Sequence, residues 1–239
     1  MNISEPVDRS EPASADSRST GQTRVVAFTL IELLVVIAII GVLAGLIVGL
    51  SGYAARKMRE SRIRTELNAL VTAIESYHAR FGHYPKDNVV STVPLVVNPV
   101  TNALFYELSG TVLSNTTFRT REGQEAIDAA NIVTFFNMEG FVNSSTDPKQ
   151  VKSFMNFKKK QYEELFLGGT PDVELLVVPV PWPLDRIDPP TGRKGLNPWR
   201  YVSTSPTNNP TTFDLWAEYV DGKRVRIICN WSKDILERQ

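Results

Sequence analysis

The chain has 239 residues, with 26 Lys plus Arg set against 26 Asp plus Glu, so the formal net charge is zero. That balance gives no basic surplus to mark a nucleic-acid partner. The single cysteine, Cys229, excludes an intrachain disulfide. The hydrophobic share of 42% is ordinary for a globular chain, but much of it is concentrated near the N-terminus.

Residues 1–24 are polar and mixed in charge, with Pro6, Pro12 and many Ser, Asp and Arg. Such a stretch buries too little apolar surface to fold and reads as disordered. No apolar core precedes residue 25, so it is not an ordinary secretory signal. From Val25 the character changes. Residues 28–55 carry one charge, Glu32, and Leu33 to Ala55 carry none. At ~1.5 Å per residue that uncharged run gives about 34 Å of helix, enough for a ~30 Å hydrocarbon core.

Beyond Arg56 polar residues take over, yet Ile63, Leu67, Leu70, Ile74, Tyr77 and Phe81 recur at alternating spacings of four and three. This is one helical stripe. Gly82 and Pro85 supply the stop. The helix is therefore expected to be apolar on all sides in its first half and one-sided in its second.

Residues 86–120 read as irregular, with a short helix around Asn102–Ser109. Residues 121–138 and 147–167 carry helical patterns, the second starting at Asp147-Pro148. Lys158, Lys159 and Lys160 read as a solvated face. The last quarter reads as strands: 174–180, 199–203, 213–220 and 223–231. Asp221-Gly222 suits a type I′ hairpin turn. In the last strand Val225, Ile227, Cys229 and Trp231 alternate with Arg224 and Arg226, so one apolar face is expected inward, with Cys229 in the core. An antiparallel sheet would then cover the helix stripe.

Glu32 is the most informative residue. A carboxylate in an apolar helix costs about 2.5–3.5 kcal/mol near the bilayer centre. Either it meets a cation, such as a free amine produced by cleavage before Phe28, or it snorkels to headgroups. Gly41, Gly45 and Gly49 form a small-xxx-small ladder, which either lets helices approach closely or reflects the general abundance of glycine in membrane helices. Arg56, Lys57, Arg59, Arg62 and Arg64 follow the span while only Arg24 closely precedes it. Charge alone would put the C-terminal part in the cytoplasm. His78 and His83 have no partners in a Ser/His/Asp or metal-ligand spacing, so no enzyme is expected.

The run Phe28-Thr29-Leu30-Ile31-Glu32-Leu33-Leu34-Val35-Val36-Ile37-Ala38-Ile39-Ile40-Gly41 resembles the prepilin-type cleavage and methylation signature of type IV pilins and type II secretion pseudopilins. The resemblance implies a leader over 1–27, cleavage between Ala27 and Phe28 by a prepilin peptidase, and N-methylation of Phe28. It also implies that Glu32 aligns each subunit against its neighbour's amine during assembly. Family members usually have Gly where this chain has Ala27, and often Pro where it has Gly49. Gly weakens a helix by ~1 kcal/mol and Pro by ~3, so Gly49 is expected to keep some local melting ability.

Shorter stretches are similar to the major pseudopilin. They are Glu66-Leu67-Asn68-Ala69-Leu70, Ala73-Ile74-Glu75-Ser76-Tyr77, Gly82-His83-Tyr84-Pro85, Asn197-Pro198-Trp199-Arg200-Tyr201-Val202-Ser203, Phe213-Asp214-Leu215-Trp216, Val220-Asp221-Gly222 and Asn230-Trp231. Residues 86–196 resemble nothing in that family.

The fold class expected is α+β, pilin-like: a long N-terminal hydrophobic helix packed by its C-terminal half on an antiparallel β-sheet. Its parts are a leader (1–27), a membrane and filament-core helix (28–55), an amphipathic second half (56–85), a variable insert (86–172) and a C-terminal sheet region (173–239). The function implied is that of a structural subunit of a type II secretion pseudopilus. The alternatives are a type IV pilin or minor pilin, and a single-span anchored binding protein or enzyme.

The partners implied are further copies of the chain, other pseudopilins, the prepilin peptidase, the inner-membrane assembly platform and membrane lipid, with no nucleic acid. The place implied is the inner membrane, single-pass, with the C-terminal domain in the periplasm. Major pseudopilins bind calcium near the position of Asp221. Here Lys223, Arg224 and Arg226 stand where further oxygen ligands would be needed, so neither cofactor nor metal is expected.

Overall fold

The computed structural model describes residues 29–123, 125–165, 173–186, 191 and 193–238; of residues 48–51 only the helical backbone is described. The leader and the Ala27–Phe28 processing pair lie outside the described residues. The chain is α+β and divides into two compact units, one ending at Leu50 and the other running Ser51–Gln239. Helix α1, Leu30–Phe81, runs through both.

α1 stops where the sequence says it should. The Gly82 N–H bonds the His78 carbonyl at 2.8 Å and Gly82 takes φ +77°. Only glycine holds that left-handed cap without a steric penalty. In the Ser51–Gln239 unit the stripe Ile63, Leu67, Leu70, Ile74 and Tyr77 is buried, joining one core with Trp199, Tyr201, Leu215, Ala217, Tyr219 and Ile228.

The described residues form four small sheets. β1 (Asn88–Thr92) and β2 (Leu95–Asn98) form an antiparallel hairpin where irregular chain was expected. The short helix expected near 102–109 is α2, Leu104–Ser109. β3 (Thr111–Ser114), β4 (Thr117–Thr120) and β5 (Ala126–Asp128) form an antiparallel meander, followed by α3, Ala129–Phe136. β6 (Ser144–Ser145) adds to β3 in parallel. The helix expected over 121–138 is therefore only its second half.

The helix expected over 147–167 does not form over 147–165, the part that is described. A single 3-10 turn at Lys159–Gln161 leads into β7 (Tyr162–Leu165), which pairs with β8 (Val173–Leu176). Tertiary contacts override the local preference. The Phe154 N–H bonds the Leu108 carbonyl at 2.8 Å, Asn143 Nδ2 grips the Lys152 carbonyl at 2.7 Å, and the Phe154 ring packs on Tyr77 at 5.4 Å. Gly110, at φ +73°, sits so close to this segment that a Cβ would meet Val151 Cγ1 at 2.5 Å.

The C-terminal sheet is antiparallel, in the order β12 (Leu236–Arg238), β11 (Arg224–Cys229), β10 (Asp214–Asp221), β9 (Arg200–Val202). Two expectations fail in detail. The β10–β11 turn is Gly222-Lys223, not Asp221-Gly222, because Asp221 pairs with Arg224. Of the two turn residues only Gly222 has positive φ, the II′ rather than the I′ arrangement.

The face of β11 turned to α1 is also the other one. Tyr219 pairs with Arg226, and both reach Glu60 on the helix; Ile228 on that face is fully buried. Arginines can face the helix because the helix supplies a carboxylate. The opposite face is covered too, so Cys229 is buried as expected while Val225 and Ile227 are only half-buried.

Candidate functional site

The first candidate is the start of α1. Thr29 and Glu32 stand three residues apart and form a reciprocal cap. The Thr29 N–H donates to Glu32 Oε2 at 2.8 Å, the Thr29 hydroxyl donates to the same oxygen at 2.7 Å, and the Glu32 N–H donates to Thr29 Oγ1 at 3.3 Å. This is a capping box. Glu32 therefore has partners within its own chain.

Every residue from Leu30 to Ile47 is exposed, and Leu30, Ile31, Ile37, Val42 and Ile47 all show more than half their surface. A Cβ added at Gly41 or Gly45 would meet nothing within 4 Å, so both glycines leave the helix backbone open to a close neighbour. Gly49, the third of the ladder, falls in the stretch where the backbone alone is described. α1 is long and apolar enough to cross a membrane by length and composition.

The second candidate lies where α1 enters the Ser51–Gln239 unit. Glu60 is buried at 7% exposure and takes the Tyr219 hydroxyl at 3.0 Å, Lys57 at 3.0 Å and Arg226 at 3.7 Å. Burial pushes the Glu60 carboxyl up, but the bonds from Lys57 and Tyr219 and the charges of Lys57 and Arg226 outweigh it and leave it below the usual range. Asp221 is held by Arg56 at 3.0 Å and by Arg226 at 3.2 Å; Arg226 also meets Glu237 at 3.3 Å. The Asp221 carboxylate is thus engaged by two guanidinium groups. Glu60 continues the buried stripe backward by three residues from Ile63, which was the available sequence signal for it.

The third is a cleft of about 720 Å³ between Ser61–Ala69 of α1 and the segments 158–163 and 177–181. Its walls mix Val177, Val178 and Pro179 with Arg62, Lys158, Lys160, Glu66 and Glu163. Burial raises the Glu66 carboxyl against a 3.4 Å bond from Trp199 Nε1. Among the described residues no histidine or cysteine lines this cleft, which offers shape and charge of both signs.

Other ionisable groups bond to neighbours within the Ser51–Gln239 unit. Glu107, fully buried, accepts the N–H groups of Val142 and Asn143 at 2.9 Å and the Tyr77 hydroxyl at 3.1 Å. Desolvation raises its carboxyl in spite of them. Glu174 on β8 is pushed up to about 7 by burial and by the neighbouring carboxylate of Glu125. Lys158, Lys159 and Lys160 are exposed, as expected of a solvated face, and Lys159 pairs with Glu125 at 2.7 Å. His78 stacks on Tyr84 at 4.2 Å, and His83 Nδ1 lies 2.9 Å from the Tyr84 carbonyl. Burial raises the Cys229 thiol. Among the described residues no three His, Cys, Asp or Glu side chains converge in a metal-binding group.

No protein-family model, no curated protein and no solved structure matches the chain.

Proposed function

We propose that the chain is a pilin-like subunit of a type II secretion pseudopilus. In this reading a prepilin peptidase cuts it between Ala27 and Phe28, and its apolar helix holds it in the inner membrane with the Ser51–Gln239 unit in the periplasm. It then packs into a filament of its own copies and other pseudopilins.

The observation that carries the reading is the first half of α1, which is apolar and over Leu30–Ile47 exposed on every side, with one carboxylate, Glu32, in its first turn. An apolar surface of that size requires lipid or like helices around it. The prepilin-like run from Phe28 to Gly41 covers this same stretch, and the α+β unit that follows is consistent with the fold it implies.

One observation favours the second reading, an uncleaved anchor for a binding domain: the capping box satisfies Glu32 without any neighbour's amine. Intact-mass and N-terminal peptide mass spectrometry on protein from native membranes separates the two. A chain starting at N-methylated Phe28 is expected. A chain that keeps residues 1–27 would overturn the pilin-like reading and leave the anchor.

A further inference from the structure

The end of the Ser51–Gln239 unit at which α1 enters gathers cations from three separate segments. α1 brings Arg56, Lys57, Arg59, Arg62 and Arg64. The contact of Arg56 with Asp221 sets the β10–β11 turn, with Lys223, beside the helix. The Arg64 guanidinium donates to the Lys233 carbonyl at 2.9 Å, which sets the β11–β12 loop there as well.

Several of these charges are paired inside the unit: Arg56 and Arg226 share Asp221, Lys57 meets Glu60, and Arg224 meets Glu237, so three carboxylates stand against four cations. Arg59, Arg62, Arg64, Lys223 and Lys233 are in no ion pair among the described residues. Arg62 reaches only the Met58 sulfur and Arg64 only a carbonyl. Against these five cations stands Asp234, a nearby carboxylate that is likewise in no ion pair among the described residues. A surplus of positive charge therefore remains on this end, although the whole chain is neutral.

We propose that this end is a docking surface for the headgroups of anionic phospholipids, seated on Arg59, Arg62, Arg64, Lys223 and Lys233. The inference rests on the reading of the first half of α1 as a membrane span. Ala55 ends the uncharged run, so Arg59 to Arg64 stand about 6 to 14 Å of helix beyond it. That is close to the Debye length of ~8–10 Å at physiological salt, and long arginine side chains can lean back toward the headgroups. Exposed Tyr53, with the Lys57 ammonium 5.9 Å from its ring centre, is the kind of amphipathic side chain found at a bilayer boundary.

The test uses the full chain in neutral detergent, equilibrated with equimolar phosphatidylglycerol and phosphatidylcholine, with the lipid retained measured by mass spectrometry. Phosphatidylglycerol should be retained in clear excess at low salt, and the excess should fade at about 0.5 M salt. Each cation removed should lower it by about fivefold. The variant Arg59→Gln/Arg62→Gln/Lys223→Gln/Lys233→Gln should therefore approach parity. Arg59→Lys/Arg62→Lys should keep the preference, and so should Lys86→Gln/Lys149→Gln, near the Phe81 end of α1. No preference in the unaltered chain, or a preference untouched by the fourfold variant, would overturn the proposal. Alkaline extraction from pure phosphatidylcholine vesicles tests the span separately: release of the chain there defeats the span reading whatever the lipid-retention result.

Discussion

Replacing Glu60 tests whether the helix and the C-terminal sheet are locked together by this buried carboxylate. Glu60→Leu leaves the Tyr219 hydroxyl, on a residue 1% exposed, without its acceptor 3.0 Å away. An orphaned buried donor costs about 1–3 kcal/mol. Arg226 also loses a partner at 3.7 Å but keeps Asp221 at 3.2 Å and Glu237 at 3.3 Å. Its share falls well below the ~3–5 kcal/mol of a fully buried broken pair. Lys57 is exposed and contributes little.

The net expectation is about 2–3 kcal/mol, softened slightly by the apolar leucine on the stripe. In a unit of this size ~1 kcal/mol moves Tm by about 2–4 °C, so Glu60→Leu should lower Tm by about 5–10 °C. Glu60→Gln, which can still accept from Tyr219, should lose about half as much. Adding Tyr219→Phe to Glu60→Leu should restore about 1 kcal/mol by removing the orphan. Thermal unfolding of the full chain in detergent, followed by tryptophan fluorescence, reads all three, since Trp199 and Trp216 lie in or beside the sheet. A Glu60→Leu variant melting within about 1 °C of the unaltered chain, or a double variant no better than the single, would mean that Glu60 does not lock the two elements together.

Glu32→Gln keeps a side chain able to complete the capping box but removes the charge, whereas Glu32→Ala removes both. If Glu32 aligns neighbouring subunits electrostatically, crosslinking between copies in membranes should collapse in both variants. Retention in Glu32→Gln would leave only the capping role. Glu174 is a pH-sensitive residue. Its carboxyl, raised to about 7, binds a proton in the folded chain that the unfolded chain releases near its ordinary 4.5. Its contribution is therefore most favourable below pH 4.5 and is lost as pH rises toward 7. The Tm advantage of Glu174→Gln over the unaltered chain should grow between about pH 5 and 7 and then level off, and a constant difference across that range would contradict the assignment.

What was legible in the sequence follows from periodicity. The stripe from Ile63 to Phe81 and the strands of the last quarter repeat over enough residues to declare both their type and one boundary, Gly82. The apolar span and Glu32 stand out for the same reason. The segment 147–167 misleads because its helical spacing of apolar residues is used by separate pockets: Phe157 packs on Phe105 and Phe154 on Tyr77. The face of β11 misleads because alternation alone takes arginine to mean solvent, and only the fold shows that Glu60 waits opposite. The cation surplus was half legible. Its helical members adjoin in sequence, but Lys223 and Lys233 join them only through Asp221 and the Lys233 carbonyl.

Cys229 is the chain's only thiol, and it is buried at the end of β11 with its deprotonation disfavoured. No disulfide ties one part of the fold to another, so the unit's integrity does not depend on whether its surroundings oxidise or reduce. The same feature makes the native chain a quiet background for chemistry: a cysteine introduced on the exposed flank of α1, or beside Lys223, would be the one thiol open to reagent, and any disulfide-linked dimer it formed would report a contact between two copies at that position.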